Sequence, residues 1–401
     1  MLRSRLRLAR LGRLPGWRCL SSLPWESDLR TVWEVVETHA RNGRRQGTTP
    51  TPDSLRVSWS TLGRLAREPN ERQRLQNAPK VLSPLAADTE MALPDFDAHA
   101  LATTVSGVAN LHVAGWRASG GLWAGLAKHC TRSVATMSAH EVASTVLGFA
   151  KVGRRPSPLF DAIADEAAAR LGEFTPEDLA NTAWAFAAAD RPAPALFGGD
   201  AFVSRSAAEA EDGFEPEALR QLHQWQLWQE ERGAAWPPLP PELAQRCRDA
   251  FCLAEGVPSE LQGDVAASLR ALGLAPREEV RTPQGYSLDA VVSHGGREVA
   301  VEVDGPSHFL GRTPTGTTAL KRRQLRAAGW ALLPVPYWEW DALGSKAAKQ
   351  EYLTVALEEL GGSLEGTAAV CSSFTHHGSA FRRSAFRIPG AGSSLEIEVT
   401  P

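Results

Sequence analysis

Glu298-Val299-Ala300-Val301-Glu302-Val303-Asp304-Gly305-Pro306-Ser307-His308-Phe309 decides how the C-terminal part of this chain folds. Its first seven residues alternate, the period of a strand with two unlike faces. Upstream, Tyr286 to Val292 alternates as well, and His294-Gly295-Gly296 lies between the two runs. The pair predicts a β-hairpin. Downstream, Thr318 to Ala328 reads as a helix closed by Gly329, and Trp330 to Val335 as a third strand ending at Pro336. Ser345 to Leu360 reads as an amphipathic helix, with Ala348, Tyr352, Val355 and Ala356 on one face. Strands alternating with helices predict a small α/β domain.

That domain gathers chemistry. Asp289 and Glu302 are expected to project from adjacent strands toward one end of the hairpin, with Asp304 beside them. Two carboxylates are enough to hold Mg²⁺, which keeps several of its waters, and a metal-bound water can attack a phosphodiester. Asp304-Gly305-Pro306-Ser307 is equally a good turn sequence, with Asp289 as its anchor. His308 is a candidate general acid, or a residue that packs in its own loop. Lys321, Arg322, Arg323 and Arg326 fall on one predicted helix and form a candidate RNA-binding face with His308 near. Trp338 and Trp340 can stack on unpaired bases, or fill the core.

In order and spacing the series resembles the RAP domain over residues 284 to about 356: Asp289, then Val303-Asp304-Gly305-Pro306-Ser307-His308-Phe309, then Leu320-Lys321-Arg322-Arg323-Gln324-Leu325, then Pro334-Val335-Pro336-Tyr337-Trp338-Glu339-Trp340. The resemblance implies an organellar role in RNA binding, stability, processing or translation, and a fold like that of PD-(D/E)XK nucleases. Nucleases of that fold place a Lys two residues after the second acid. Here that position is Asp304, and Lys321 is the candidate substitute. We therefore expect a nuclease-like fold that binds organellar RNA without cutting it and without a cofactor. The alternatives are a metal-dependent RNA endonuclease using Mg²⁺ at Asp289 and Glu302, and a scaffold whose RAP domain docks on protein. Mitoribosomal or RNA-processing proteins are the expected partners.

Ahead of this domain the chain repeats itself. Segments beginning at Phe96, Met137, Phe174 and Phe214 can be laid over one another, at spacings of 41, 37 and 40 residues. A period near 40 is a helix pair plus turns, and predicts an α-solenoid of about four units over residues 94–256. Ser138 to Glu141 and Thr175 to Asp178 are capping boxes. Leu101, Val105 and Val108 match Val142, Val146 and Phe149, then Leu179, Ala183 and Phe186, an i, i+4, i+7 core stripe. Small residues recur beside it (Gly107, Gly148, Ala185). Second helices are expected around 122–128, 159–171 and 243–253. Thr103, Ser144, Asn181 and Gln221 share one polar column, where helical-repeat proteins read bases. Yet residues 94–256 hold 13 Lys and Arg against 21 Asp and Glu, a net of −8 that suits phosphate poorly. In length and pattern the units resemble octotricopeptide-type repeats and the region ahead of the RAP domain in the FAST-kinase family.

Residues 26–93 read as a linker, partly disordered, with one helix near 55–65; 257–283 as a connector; and 361–401 as a disordered tail, with one strand possible at 395–399. Residues 1–25 carry Arg3, Arg5, Arg7, Arg10, Arg13 and Arg18 and no acid, which predicts a transit peptide. Abundant Arg and scarce Ser and Thr favour the mitochondrial matrix over a plastid. The five scattered cysteines fit no disulfide framework or zinc site. A net charge of −3 leaves any nucleic-acid contact to a local patch, and no apolar run reaches the ~18 residues of a membrane span.

Overall fold

A computed structural model describes residues 31–46, 50–209, 213–253 and 258–362. The leader, the tail from residue 363 and the possible strand at 395–399 lie outside them. The N-terminal part is helical: α1 (Val32–Gln46), α2 (Pro52–Leu65), α3 (Pro69–Asn77), α4 (Ser83–Ala92), α5 (Ala98–Val113), α6 (Gly120–Ser133), α7 (Ala139–Lys151), α8 (Ser157–Ala169), α9 (Pro176–Ala189), α10 (Pro194–Phe197), α11 (Asp200–Ala208), α12 (Pro216–Arg232) and α13 (Pro241–Cys252). Helices α2, α5, α7, α9 and α12 stack side by side in one row, and α4, α6, α8 and α10 form a second row behind them. This is the layout of helix-pair repeats.

Local sequence caps the inner helices α5, α7 and α9. The Asp97 side chain accepts from Ala100 N at 2.7 Å to cap α5, and both predicted capping boxes form on α7 and α9. The first turns are also tied between units. His99 Nδ1 lies 3.0 Å from Glu141, and His140 Nδ1 2.9 Å from Asp178. The small residues let backbones approach: a Cβ on Gly107 would lie 2.3 Å from the Trp59 carbonyl oxygen.

The linker reading of residues 26–93 is corrected. Among the described residues of this stretch, the helix expected near 55–65 forms as α2, and α1, α3 and α4 join it to add a repeat unit in front of the four predicted. Pro52, Pro69 and Pro84 look like breakers, but each occupies the first or second position of a helix, where a missing N–H is harmless. The apolar residues are thin but well placed. Leu55, Trp59, Leu62, Leu75 and Leu82 are fully buried, and the Trp59 indole donates to Thr89 at 2.8 Å.

The connector read at 257–283 is likewise structured over its described residues, 258–283. It forms α14 (Glu260–Ala271) and β1 (Arg277–Arg281), the first elements of the α/β part. There follow β2 (Ser287–His294), β3 (Arg297–Asp304), the short pair β4 (Phe309–Leu310) and β5 (Thr313–Pro314), α15 (Gly316–Ala327), β6 (Ala331–Pro336), the single turn α16 (Tyr337–Trp340) and α17 (Lys346–Gly362). The sheet runs β1-β2-β3-β6, antiparallel except for the parallel β3–β6 pair. Helix α15 is the crossover that parallel pairing requires. Val299, Val301 and Val303 face a core made with Val265 and Leu269 of α14 and Leu353 and Leu357 of α17. On the other face, Ala300 packs with Leu325 of α15 and Leu227 of α12. The α/β part is thus built against the solenoid, and Leu320 of α15 belongs to the solenoid's own core. No helix among the described residues is long and apolar enough to cross a membrane.

Candidate nucleic-acid interface

The alternation that buries Val301 and Val303 on one face of β3 turns Glu302 and Asp304 to the other, toward α15 and the solenoid. Glu302 Oε2 meets Lys321 Nζ at 2.5 Å. Asp304 is paired with Arg322 and accepts from His308 Nδ1 at 2.9 Å. Asp289, on the neighbouring strand, accepts from Val303 N and from Gln262 Nε2, both at 2.6 Å. Burial raises its pKa, opposed by Lys321 and by these bonds. Glu302 is only 3% exposed. Burial, with the charges of Asp289 and Asp304, pushes its carboxyl up to about 7 against the pull of Lys321. Its Oε1 has no hydrogen-bond partner.

The three acids do not form a metal-binding set. Among the described residues no group of three His, Cys, Asp or Glu can hold an ion, and the oxygens of Asp289 and Asp304 are already engaged. Within the pair Asp289 and Glu302, both oxygens of Asp289 are taken, whereas Glu302 keeps Oε1 without a partner. Lys321, the candidate substitute for the nuclease lysine, does reach Glu302.

The cationic face read on α15 also takes a different form. A crossover helix sandwiched between sheet and solenoid has little free surface. Lys321 and Arg322 turn onto Glu302 and Asp304. Arg323 Nε donates to Glu231 of α12 and its Nη2 to the Ala187 carbonyl of α9, both at 2.6 Å. Of the four, only Arg326 is exposed. The next residue, Gln324, donates to the Gln224 carbonyl at 2.7 Å and accepts from the Tyr286 hydroxyl at 2.6 Å. Trp338 is half-buried, edge-on to Phe309 with ring centres 4.3 Å apart, and Arg322 lies over that same ring at 5.4 Å. Trp340 is core, its indole donating to Asp264 at 2.8 Å. The polar column is corrected too. Asn181 and Gln221 are buried and bonded to each other at 2.9 Å, because the α/β part covers α9 and α12; Thr103 and Ser144 stay half-buried.

Sequence reasoning missed the opposite wall. Arg67 and Arg72, just after α2 and on α3, and Lys151 at the end of α7 face Glu302, Asp304, Lys321 and Arg322 across a cavity of about 440 Å³. Nothing local marks them; residues this far apart meet only through the fold.

Residues 301–354 match the model of the RAP domain family. A RAP domain-containing protein, chloroplastic, of Oryza sativa subsp. japonica is 42% identical over 98 residues, which is 24% of this chain. The match covers 15% of that relative's length. The chain carries a RAP domain, running from within β3 to within α17 and containing most of the site described above.

Proposed function

We propose that this is an organellar RNA-binding protein acting on transcripts after transcription, in which a nuclease-like α/β domain grips RNA without cutting it. The observation that carries the reading is the cleft between the two parts. Five cationic side chains, Arg67, Arg72, Lys151, Lys321 and Arg322, line it against two carboxylates, and both carboxylates already hold a cation. Such a local patch suits phosphate on a chain that is slightly acidic overall. The strand–helix–strand arrangement of β3, α15 and β6, with carboxylates on β3, supports the nuclease-like assignment. The engaged acids, and a carboxylate at Asp304 where an orienting ammonium belongs, argue against cleavage.

The rice relative's chloroplastic name favours a plastid over the mitochondrion expected from composition; the acid-free, Arg-rich residues 1–25 support organellar import in either case. The partners are organellar RNA and the proteins that process or translate it.

Crosslinking followed by sequencing of bound RNA tests the binding. Recovery of organellar transcripts supports the reading, and recovery of no RNA above background sinks it. Cleavage assays with wild type and Glu302→Gln test the chemistry. We expect no metal-dependent cleavage by either; cleavage abolished by Glu302→Gln would make the protein an endonuclease. A fluorescent fusion to residues 1–25 reports the compartment.

A further inference from the structure

The two walls of the cleft differ in how their charges are satisfied. On the α/β wall, Lys321 pairs with Glu302, and Arg322 and His308 with Asp304. On the solenoid wall, neither Arg67 nor Lys151 has an ion-pair partner among the described residues. Burial and the nearby Arg67 pull the Lys151 ammonium below its usual range, against Glu217 and Glu177. Two cations without ion-pair partners on one wall of the cavity form a site for an anion. Across the same cavity Glu302 Oε1 is buried without a hydrogen-bond partner. A buried carboxyl oxygen left so is costly, and it calls for an N–H or O–H donor from a ligand. The volume is in the range of small-ligand pockets, about 300–1,000 Å³. A compact group carrying both a phosphate and hydroxyl or amino donors meets every one of these conditions.

We infer that the cleft is a pocket for one phosphorylated nucleotide: Arg67 and Lys151 hold its phosphate, and Glu302 Oε1 accepts a hydrogen bond from a hydroxyl or amino group of its sugar or base. This rests on the RNA-binding reading and sharpens it. The cavity lies between two packed parts of the chain, so it suits a strand end better than a continuous backbone. A free mononucleotide carries the same chemistry.

The test uses the full chain. Calorimetry compares adenosine and uridine 5′-monophosphates with the corresponding nucleosides and with inorganic phosphate. Fluorescence anisotropy compares a short RNA bearing a 5′-phosphate with its 5′-hydroxyl twin. We expect the mononucleotide to bind at least tenfold more tightly than either nucleoside or phosphate. Arg67→Gln and Lys151→Met should each weaken it by roughly tenfold or more, as loss of a charged hydrogen bond does. Glu302→Gln should reduce the preference for mononucleotide over inorganic phosphate. Because that change also removes the partner of Lys321, Arg67→Gln, at an exposed residue, carries the decision, with a thermal melt to confirm folding. A folded Arg67→Gln protein with unchanged affinity overturns the inference, and so does equal binding of nucleotide and nucleoside. A preference for the 5′-phosphorylated RNA supports a strand end as ligand; binding of mononucleotide without that preference supports a free nucleotide. RNA bound with no preference for a 5′-phosphate and no competition by mononucleotide overturns the pocket but leaves the RNA-binding reading standing. Mononucleotide bound without any RNA does the reverse.

Discussion

Arg323 joins the two parts of the chain, and replacing it with Ala tests how tightly they are joined. The guanidinium donates to Glu231 and to the Ala187 carbonyl, both at 2.6 Å. The Glu231 side chain is 13% exposed and that of Arg323 25%. Breaking a fully buried pair costs about 3–5 kcal/mol, because the remaining charge is stranded. Partial exposure of Arg323 lowers this to about 2–3 kcal/mol, and the lost bond to Ala187 adds about 1 kcal/mol. A loss of about 3 kcal/mol corresponds to a fall in Tm of roughly 4–5 °C for a protein of this size, at about 2.1 cal/mol/K of unfolding entropy per residue. Burial already raises the Glu231 pKa, with Arg323 opposing it, so the variant carries a carboxyl raised further. An acid raised in the folded state adds stability below its ordinary pKa and loses it as pH rises through the raised one. The deficit should therefore be largest at neutral pH and shrink in mild acid. Glu231→Gln in the Arg323→Ala background should recover about half the loss, since it removes the stranded charge. Calorimetric melts at two pH values, with limited proteolysis of the α/β part, give the readout. An unchanged Tm and proteolysis pattern would refute the claim that this contact ties the parts together.

Other consequences can be measured as directly. Glu302, raised to about 7 by burial and by Asp289 and Asp304, contributes stability below the ordinary carboxylate range that is lost as pH rises through about 7. Glu302→Gln should flatten the stability profile between pH 5 and 8, a span worth on the order of 2–3 kcal/mol, as read by urea unfolding. Gly107→Ala would force a Cβ against the Trp59 carbonyl and separate α2 from α5, for a loss of about 1–3 kcal/mol by thermal melting. Ser138→Ala removes the capping box of α7 and should cost about 1 kcal/mol in the same assay. If exposed Arg326 touches RNA phosphate, Arg326→Ala should reduce the log–log salt slope of single-stranded RNA binding by about 0.7; an unchanged slope would remove Arg326 from the interface.

What could be read from the sequence was whatever the chain decides locally. The capping boxes at Ser138 and Thr175, the stripe from Leu101 to Phe186 and the hairpin through His294-Gly295-Gly296 depend on neighbours a few residues away, and all form. The prolines of residues 52–84 misled because one residue type both starts and ends helices. Strand β1, Arg-Glu-Glu-Val-Arg, is an exposed edge without alternation and gave no signal. At the site, Asp289, Glu302, Asp304 and Lys321 could be nominated from their strand and helix positions. Their pairings could not, because Lys321 could have faced solvent as readily as Glu302. The roles of Arg323 and Lys151 depend on α15 lying against α7, α9 and α12, which no window of sequence contains.

The seating of α15 also bears on how such a chain can evolve. A solenoid usually lengthens by duplicating a unit, since each unit touches only its neighbours. Here one domain reaches from Arg117, against Gly311, to Glu231, held by Arg323. An extra unit inserted between those points would carry Glu231 away by one interhelical spacing, about 8–10 Å, and break the bond. The C-terminal domain therefore acts as a gauge for the array: the number of units between α2, whose end brings Arg67 to the cleft, and α12 is fixed, and units can be added only in front of α1.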